Sequence, residues 1–266
     1  MLRKRIITAA CWILILIAAI WFEGPLPWFT LLAAAWGVLA VLEFYRITGV
    51  SRALPLACFG LLWTLFFILS PYFEAGFVIP LLLASAMVLS LIVMVLSRQR
   101  DGVFVNWAWT MVGMLYAGWL LSYLVALRLE AGRSWLFLAL FATFGSDTAA
   151  FFVGRALGRH RLAPRISPAK TWEGAVAGVF GAILVSLLFT LPTPVALPLS
   201  YWQAALLGLL VSVFGQFGDL AESLLKRNVG VKESGWLMPG HGGLLDRMDS
   251  VVFAGVAVYY FFLIIH

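Results

Sequence analysis

Length, composition and charge place this chain among the polytopic membrane proteins. Of its 266 residues, 63% are hydrophobic and only 11% are charged, and the mean hydropathy is +1.01. A soluble domain carries about 25% charged residues, so a water-soluble globular fold is excluded. The apolar runs are too long and too continuous for membrane β-strands.

About twenty apolar residues cross a bilayer, and this length predicts nine spans in chain order: 6–22, 28–45, 54–70, 77–96, 104–125, 135–153, 174–191, 201–221 and 249–265. The connections are short, which predicts one all-α polytopic membrane domain over 1–266. Cys11 and Cys58 fall inside apolar spans, where we expect small buried residues and neither a disulfide nor a metal site.

The basic residues predict the orientation. With a cytoplasmic N-terminus, 16 of the 18 Lys and Arg residues lie on the inner side, and only Arg128 and Arg133 lie outside. The positive-inside rule therefore predicts a cytoplasmic N-terminus and, with nine spans, an outer C-terminus. The net charge of +6 then belongs to the cytoplasmic face, where it suits anionic lipid headgroups or a polyanionic substrate.

The first five spans contain few charged residues. Glu43 lies near the inner end of the second span and close in sequence to Arg46, so we interpret the two as an interfacial pair. Asp147 lies inside the sixth span. A carboxylate at membrane depth is usually paired or faces a polar cavity, so Asp147 is either a site residue or the partner of a nearby Arg.

A basic segment follows the sixth span, and it contains Arg155 and "SPAKTWEG" at 167–174. The arginines are either a lipid anchor or a substrate clamp. We expect Ser167 to cap a helix whose first residue is Pro168. Such a helix start would direct free N–H groups at an anion, with Lys170 one turn further on.

The stretch "GQFGDLAESLLKRNVGVKESG", 215–235, holds Asp219, Glu222, Ser223 and Lys226 at i, i+3, i+4 and i+7. This spacing predicts one polar stripe on a helix that leaves the membrane. A self-neutralising stripe that faces water is the alternative. The position of Asp219, directly after an apolar run that begins at Tyr201, argues against it.

The stretch "PGHGGLLDRMDS", 239–250, precedes the last apolar run. Its glycines allow a close approach of the backbone to a ligand. A helix that starts near Leu244 or Leu245 would carry Asp246 and Asp249 on one face. Paired Asp carboxylates suit Mg²⁺, although acidic residues also favour a helix N-terminus. His241 is either a polar loop residue, or a phosphate contact or proton relay.

Carboxylates, cations and glycine-rich backbone at the inner membrane face suit phosphoryl or nucleotidyl transfer. The large apolar body suggests a lipid as the other substrate.

The stretch "SLLKRNVGVKESGWLMPGHGGLLDRMDS", 223–250, resembles the signature of the bacterial phosphatidate cytidylyltransferases, also called CDP-diacylglycerol synthases. Ten residues match it in order and spacing: Ser223, Lys226, Arg227, Lys232, His241, Gly242, Gly243, Asp246, Arg247 and Asp249. "SDTAAFFVGR" and "SPAKTWEG" resemble other common blocks of that family. Glu233 stands where the family signature has Asp.

The resemblance implies a Mg²⁺-dependent enzyme, with one or two ions, that makes CDP-diacylglycerol and pyrophosphate from CTP and phosphatidate. It implies a multi-pass protein of the inner (cytoplasmic) membrane, with its site in 134–266 facing the cytoplasm and a scaffold in 1–133. Membrane lipids are expected partners and nucleic acid is not; the oligomeric state is open, with a homodimer as one alternative.

The implied metal ligands are Asp219, Asp246 and Asp249. The other implied catalytic residues are Lys226, Arg227, Lys232, His241 and Arg247. The implied substrate-binding residues are Asp147, Arg155, Ser167, Lys170, Thr171, Glu173, Glu222, Ser223, Gly242 and Gly243.

Three other functions compete with this one. A CTP-dependent lipid kinase needs similar metal and cation groups. A transporter or flippase needs polar groups along a path through both leaflets, whereas here they gather at the inner face. A non-enzymatic assembly protein is the third alternative.

Overall fold

The computed structural model describes residues 2–22, 27–73, 76–97, 102–235 and 242–266. The described part of the chain is 80% helical, which confirms the all-α class. Its nine helices within these ranges are α1 Leu2–Trp21, α2 Trp28–Thr48, α3 Leu54–Leu69, α4 Val78–Leu96, α5 Val103–Ala131, α6 Arg133–Leu157, α7 Trp172–Leu188, α8 Tyr201–Asn228 and α9 Asp249–Ile265. Helix α5 includes two π-helical turns, Leu115–Trp119 and Leu127–Ala131. Each predicted span coincides with one helix.

Six of the helices in the described part of the chain are long and apolar enough to cross a membrane: α2, α3 with the turn that follows it, α4, α5, α6 and α8. The described part of α1 (Cys11–Trp21), α7 and α9 are shorter apolar helices. The chain is thus an all-α integral membrane protein. Cys11 and Cys58 are exposed on its surface, so the expectation that they are buried was wrong.

A short hairpin interrupts the helical architecture. Strand β1 (Arg161–Ala163) pairs antiparallel with β2 (Ser167–Thr171). Ser167 therefore does not cap a helix, because it pairs with Ala163 in the hairpin. The cap is Thr171, whose hydroxyl accepts a hydrogen bond of 3.2 Å from the Gly174 N–H at the start of α7. The sequence motif placed this helix start four residues too early.

The chain divides into two compact units. Unit 1 comprises Met1–Val125 and Glu233–Asp246. Its α3, α4 and α5 bury a cluster of Phe59, Trp63, Phe67, Ala86 and Met114. The Tyr45 hydroxyl donates to the Thr110 carbonyl at 2.9 Å, so that even a buried phenol from α2 has a polar partner.

Unit 2 comprises Ala126–Lys232 and Arg247–His266, and it packs α6, α7, α8 and α9 through small residues. A Cβ built on Gly181 of α7 would lie 2.7 Å from the Ala149 Cβ of α6. A Cβ on Gly208 of α8 would lie 2.6 Å from the Ile183 Cα of α7. Helices in membranes associate through such close backbone approaches. In unit 2 this packing brings the polar residues of α6, α8 and α9 within reach of one another.

Candidate active site

An ion pair between β2 and α8 lies in the polar region of unit 2. The Lys170 Nζ lies 2.7 Å from Asp219 Oδ2, and the two side chains are 22% and 34% exposed. The Lys170 Nζ atom is buried from solvent, and its contact with Asp219 does not have hydrogen-bond geometry. The Ser223 hydroxyl donates to the other oxygen, Asp219 Oδ1, at 3.3 Å. Asp219 is thus held on both oxygens.

Two further carboxylates interact electrostatically with the Asp219 carboxylate. Asp147 of α6 and Asp249 of α9 each interact electrostatically with Asp219. The Ser250 hydroxyl donates to Asp147, and the Ser250 N–H donates to Asp249 Oδ1 at 2.8 Å. Like charges in a partly buried region repel strongly, so these three carboxylates favour a cation among them. Ser250 was missed in the sequence, although it ends the quoted motif.

Glu222 and Lys226 form a second ion pair one turn further along α8. Lys226 Nζ lies 2.6 Å from Glu222 Oε2, with side-chain exposures of 12% and 1%. The polar stripe lies on one helix, as predicted. The alternative of a stripe that faces water does not fit the low exposure of Glu222 and Lys226. Lys226 also acts on Asp249. The region so joined contains four carboxylates, Asp147, Asp219, Glu222 and Asp249, and two lysines.

A chain of neutral polar groups lies between α6, α7 and α8. The Ser146 and Ser212 hydroxyls are 2.7 Å apart. Gln216 Nε2 donates to the Ser212 hydroxyl at 2.9 Å and to the Ala175 carbonyl at 3.0 Å. These bonds fix the relative position of three helices that carry charged residues. These contacts could not be predicted, since isolated Ser and Gln residues in apolar spans have no characteristic spacing.

Several predicted site residues instead support the start of α7 or lie at the surface. His160 Nδ1 is 2.7 Å from Glu173 Oε1. Glu173 precedes the apolar run of α7, and its own backbone N–H and the His160 side chain lower its pKa to about 2. Thr171 is occupied as the cap. Arg227 Nε donates to the Ile166 carbonyl of the hairpin at 3.4 Å. Among the predicted site residues, three other cations have exposed side chains: Arg155, Lys232 and Arg247.

In unit 1, Asp246 closes a tight turn. Its Oδ2 accepts hydrogen bonds from the Gly243 N–H at 2.8 Å and the Ser234 N–H at 3.1 Å. Gly242 has a φ of +81°, which favours glycine. Asp246 lies in a 3-10 turn, Leu245–Arg247, and α9 begins only at Asp249. The expected single helix through Asp246 and Asp249 was therefore wrong, because the Asp246 carboxylate bonds back to the loop. His241 lies outside the described residues.

Glu43 of α2 belongs to the same turn. Its side chain is 2% exposed, so the interpretation as an interfacial residue was wrong. Glu43 Oε2 accepts hydrogen bonds of 3.1 Å from the Ser234 hydroxyl and from the Leu245 N–H. Trp36, also in α2, donates from Nε1 to the Leu244 carbonyl at 3.1 Å. Glu43 was not predicted as a site residue, although a carboxylate within an apolar span was a usable signal.

The donor chemistry of unit 2 fits a divalent cation. Carboxylate oxygens are the hard ligands that Mg²⁺ prefers, and the Lys170 ammonium beside Asp219 marks a position where positive charge is favoured. Within the described ranges, no three His, Cys, Asp or Glu side chains form a ready coordination group. Carboxylates of this region would hold a bound Mg²⁺ together with oxygens that the protein does not supply.

The chain is similar over its whole length to known enzymes. The model of the cytidylyltransferase family matches residues 3–265. A phosphatidate cytidylyltransferase of Bacillus subtilis is 34% identical over 264 residues, 97% of each chain. One from Brucella suis is 35% identical, covering 98% of this chain and 93% of the relative. One from Staphylococcus saprophyticus is 36% identical over 80% of this chain and 78% of the relative. The resemblance found in the sequence is confirmed, and the chain belongs to the cytidylyltransferase family of nucleotidyl-transferring enzymes.

Proposed function

We propose that this enzyme transfers the cytidylyl group of CTP to phosphatidate, with Mg²⁺, and releases CDP-diacylglycerol and pyrophosphate. The observation that carries the proposal is the match of nearly the full chain to relatives named phosphatidate cytidylyltransferase. The carboxylates and cations of unit 2 support it, because nucleotidyl transfer needs metal ligands and phosphate-binding cations together.

The reaction exchanges one phosphorus–oxygen bond for another. A phosphate oxygen of phosphatidate forms a bond to the α-phosphorus of CTP. The bond from that phosphorus to the oxygen bridging to the β-phosphorus breaks, and pyrophosphate leaves with the electron pair. A phosphomonoester is largely ionised near neutral pH, so no strong general base is required. The protein contributes positioning and charge neutralisation.

Asp219 and Asp249 are the proposed metal ligands in unit 2, with Asp147 beside them. Asp246 of unit 1 is the third proposed ligand, as the resemblance implies, and its Oδ2 accepts two backbone N–H groups. One or two Mg²⁺ ions at these carboxylates would neutralise the triphosphate charge and stabilise the leaving group. Lys170 Nζ lies 2.7 Å from Asp219 Oδ2, and Lys170 is a proposed contact of the substrate phosphates beside that carboxylate.

The remaining cations are assigned to the phosphates of the two substrates. Lys226 Nζ lies 2.6 Å from Glu222 Oε2, and Lys226 also interacts with Asp249. Arg227, Lys232 and Arg247 have exposed side chains, as contacts with incoming CTP or lipid headgroups require. His241, Gly242 and Gly243 form the proposed backbone approach to phosphate.

We further propose nine membrane crossings with the N-terminus in the cytoplasm. Helices α1, α7 and α9 supply the three crossings beyond the six long apolar helices. The distribution of Lys and Arg supports this orientation. The enzyme would then lie in the cytoplasmic membrane, where CTP reaches the site from the cytoplasm and phosphatidate arrives from the bilayer.

The test is an assay of purified protein in liposomes with CTP labelled in the cytosine ring. We expect organic-soluble label only when phosphatidate and Mg²⁺ are both present. Diacylglycerol in place of phosphatidate and EDTA in place of Mg²⁺ are the controls. A lack of lipid-linked cytidine after titration of lipid and metal would refute the proposal.

A further inference from the structure

We propose that Glu43 is a positioning residue that holds the Gly242–Asp246 turn through two hydrogen bonds to one carboxylate oxygen; this role rests on the proposed function of Asp246. Glu43 lies on α2, far in sequence from the family motif. Its side chain is buried, and a carboxylate is retained at such a position only when it is well bonded or functional.

The two donors to Glu43 lie on either side of the motif loop. Ser234 precedes the loop and Leu245 follows it, and both donate to Oε2 at 3.1 Å. A single oxygen therefore joins the start and the end of the segment that carries His241, Gly242 and Gly243. Through these two bonds, Glu43 limits the positions that Ser234 and Leu245 can take.

Asp246 is joined to the same contact. Its Oδ2 accepts the Ser234 N–H at 3.1 Å, while the Ser234 hydroxyl donates to Glu43. Ser234 thus links the two carboxylates, with its backbone on one and its side chain on the other. A shift of Glu43 would move Ser234, and Asp246 with it. This is how a residue on α2 can affect a catalytic carboxylate.

The glycines of the loop show how closely Glu43 packs there. A Cβ on Gly235 would collide with the Glu43 carboxylate, and a Cβ on Gly243 would collide with both Glu43 and the Ser234 hydroxyl. Glu43 Oε1 has no hydrogen-bond partner among the described residues. An amide nitrogen at the Oε1 position would therefore leave both bonds to Oε2 in place, whereas a shorter side chain would not reach both donors.

The experiment compares Glu43→Gln, Glu43→Asp and Glu43→Ala in the cytidylyltransferase assay, with Glu130→Gln as the control for an exposed carboxylate in the same chain. We expect Glu43→Gln to keep kcat within about fivefold of wild type, because Gln retains the acceptor. Glu43→Asp and Glu43→Ala should lower kcat at least about 30-fold with KM for CTP little changed.

A second readout does not depend on activity. In hydrogen–deuterium exchange, the peptide that contains Gly243 and Leu245 should exchange faster in Glu43→Asp and Glu43→Ala, and at the wild-type rate in Glu43→Gln. Ser234→Ala should give an intermediate increase, since it removes one of the two donors. If Glu43→Ala does not fold, the difference in kcat and exchange rate between Glu43→Gln and Glu43→Asp still tests the inference.

Three results would overturn the inference. If Glu43→Asp were at least as active as Glu43→Gln, the negative charge of Glu43 would matter rather than its hydrogen bonds. Equal activity and exchange in all variants would mean that Glu43 positions nothing. A raised KM with unchanged kcat would make it a substrate contact. An inactive wild type would refute the proposed function instead, and the exchange rates would still test Glu43.

Discussion

Removal of the Glu222 carboxylate should destabilise the protein more than removal of an exposed one. Glu222 is 1% exposed and lies 2.6 Å from Lys226, which is 12% exposed. Breaking a buried ion pair from one side costs about 3–5 kcal/mol, and the slight exposure of Lys226 favours the low end. For Glu222→Gln, we expect a loss of about 3 kcal/mol, or an apparent Tm about 6 °C lower.

The assay is thermal unfolding in detergent, followed by intrinsic fluorescence of the 12 tryptophans. A thiol-reactive dye is unsuitable, because Cys11 and Cys58 are already exposed in the folded chain. Glu233→Gln is the control, since Glu233 is an exposed carboxylate, and its Tm should equal that of wild type.

A double variant sharpens the test. Glu222→Leu together with Lys226→Met replaces the pair by apolar side chains, which is often neutral for an isolated pair. Because Lys226 also acts on Asp249, we expect the double variant to be more stable than Glu222→Gln without reaching wild type. A Glu222→Gln protein as stable as wild type would refute the reasoning. So would a double variant less stable than the single one. Either result would mean that the pair does not determine the stability of α8.

Three further predictions concern the metal, the helix cap and the loop. Asp249→Asn should lower turnover at least about 100-fold in folded protein, because a metal ligand supplies several kcal/mol; near-normal activity across a Mg²⁺ titration would remove Asp249 from the site. Thr171→Ala should cost about 1 kcal/mol of stability through loss of the α7 cap, and Thr171→Ser should restore it; equal Tm values for Ala and Ser variants would argue against the cap. Glu233 is exposed and should act by its charge alone. In a measurement of kcat against free Mg²⁺, Glu233→Asp should therefore match wild type and Glu233→Gln should show a moderately lower kcat. A shift of about tenfold or more in the Mg²⁺ requirement of the Asp variant would make Glu233 a direct ligand instead.

The helices of this chain were predictable because a bilayer requires long apolar runs with all backbone groups bonded internally. Each predicted span coincides with a helix in the described part of the chain, and six of these helices are long and apolar enough to cross a membrane. The polar stripe of α8 was predictable from its spacing of three and four residues, and the contacts of Lys226 with Glu222 and of Ser223 with Asp219 follow that spacing.

The contacts that depend on tertiary structure were not predictable. Ser167 and Pro168 have the composition of a helix start, yet the hairpin pairs Ser167 with Ala163. Asp246 and Asp249 have helical spacing, but Asp246 bonds to Ser234 and Gly243 and keeps the turn separate from α9. The partners of Glu43 lie about two hundred residues away in sequence, a distance over which local patterns carry no information.

The central claim is that the enzyme moves the cytidylyl group of CTP, rather than its terminal phosphate, to a lipid. The most direct measurement is one reaction in liposomes with CTP that carries one label in cytosine and another in the γ-phosphate. Transfer as proposed predicts cytosine label in the lipid fraction and an equal amount of γ-label in soluble pyrophosphate. A lipid fraction that contains the γ-label without cytosine would identify a CTP-dependent kinase and contradict the claim.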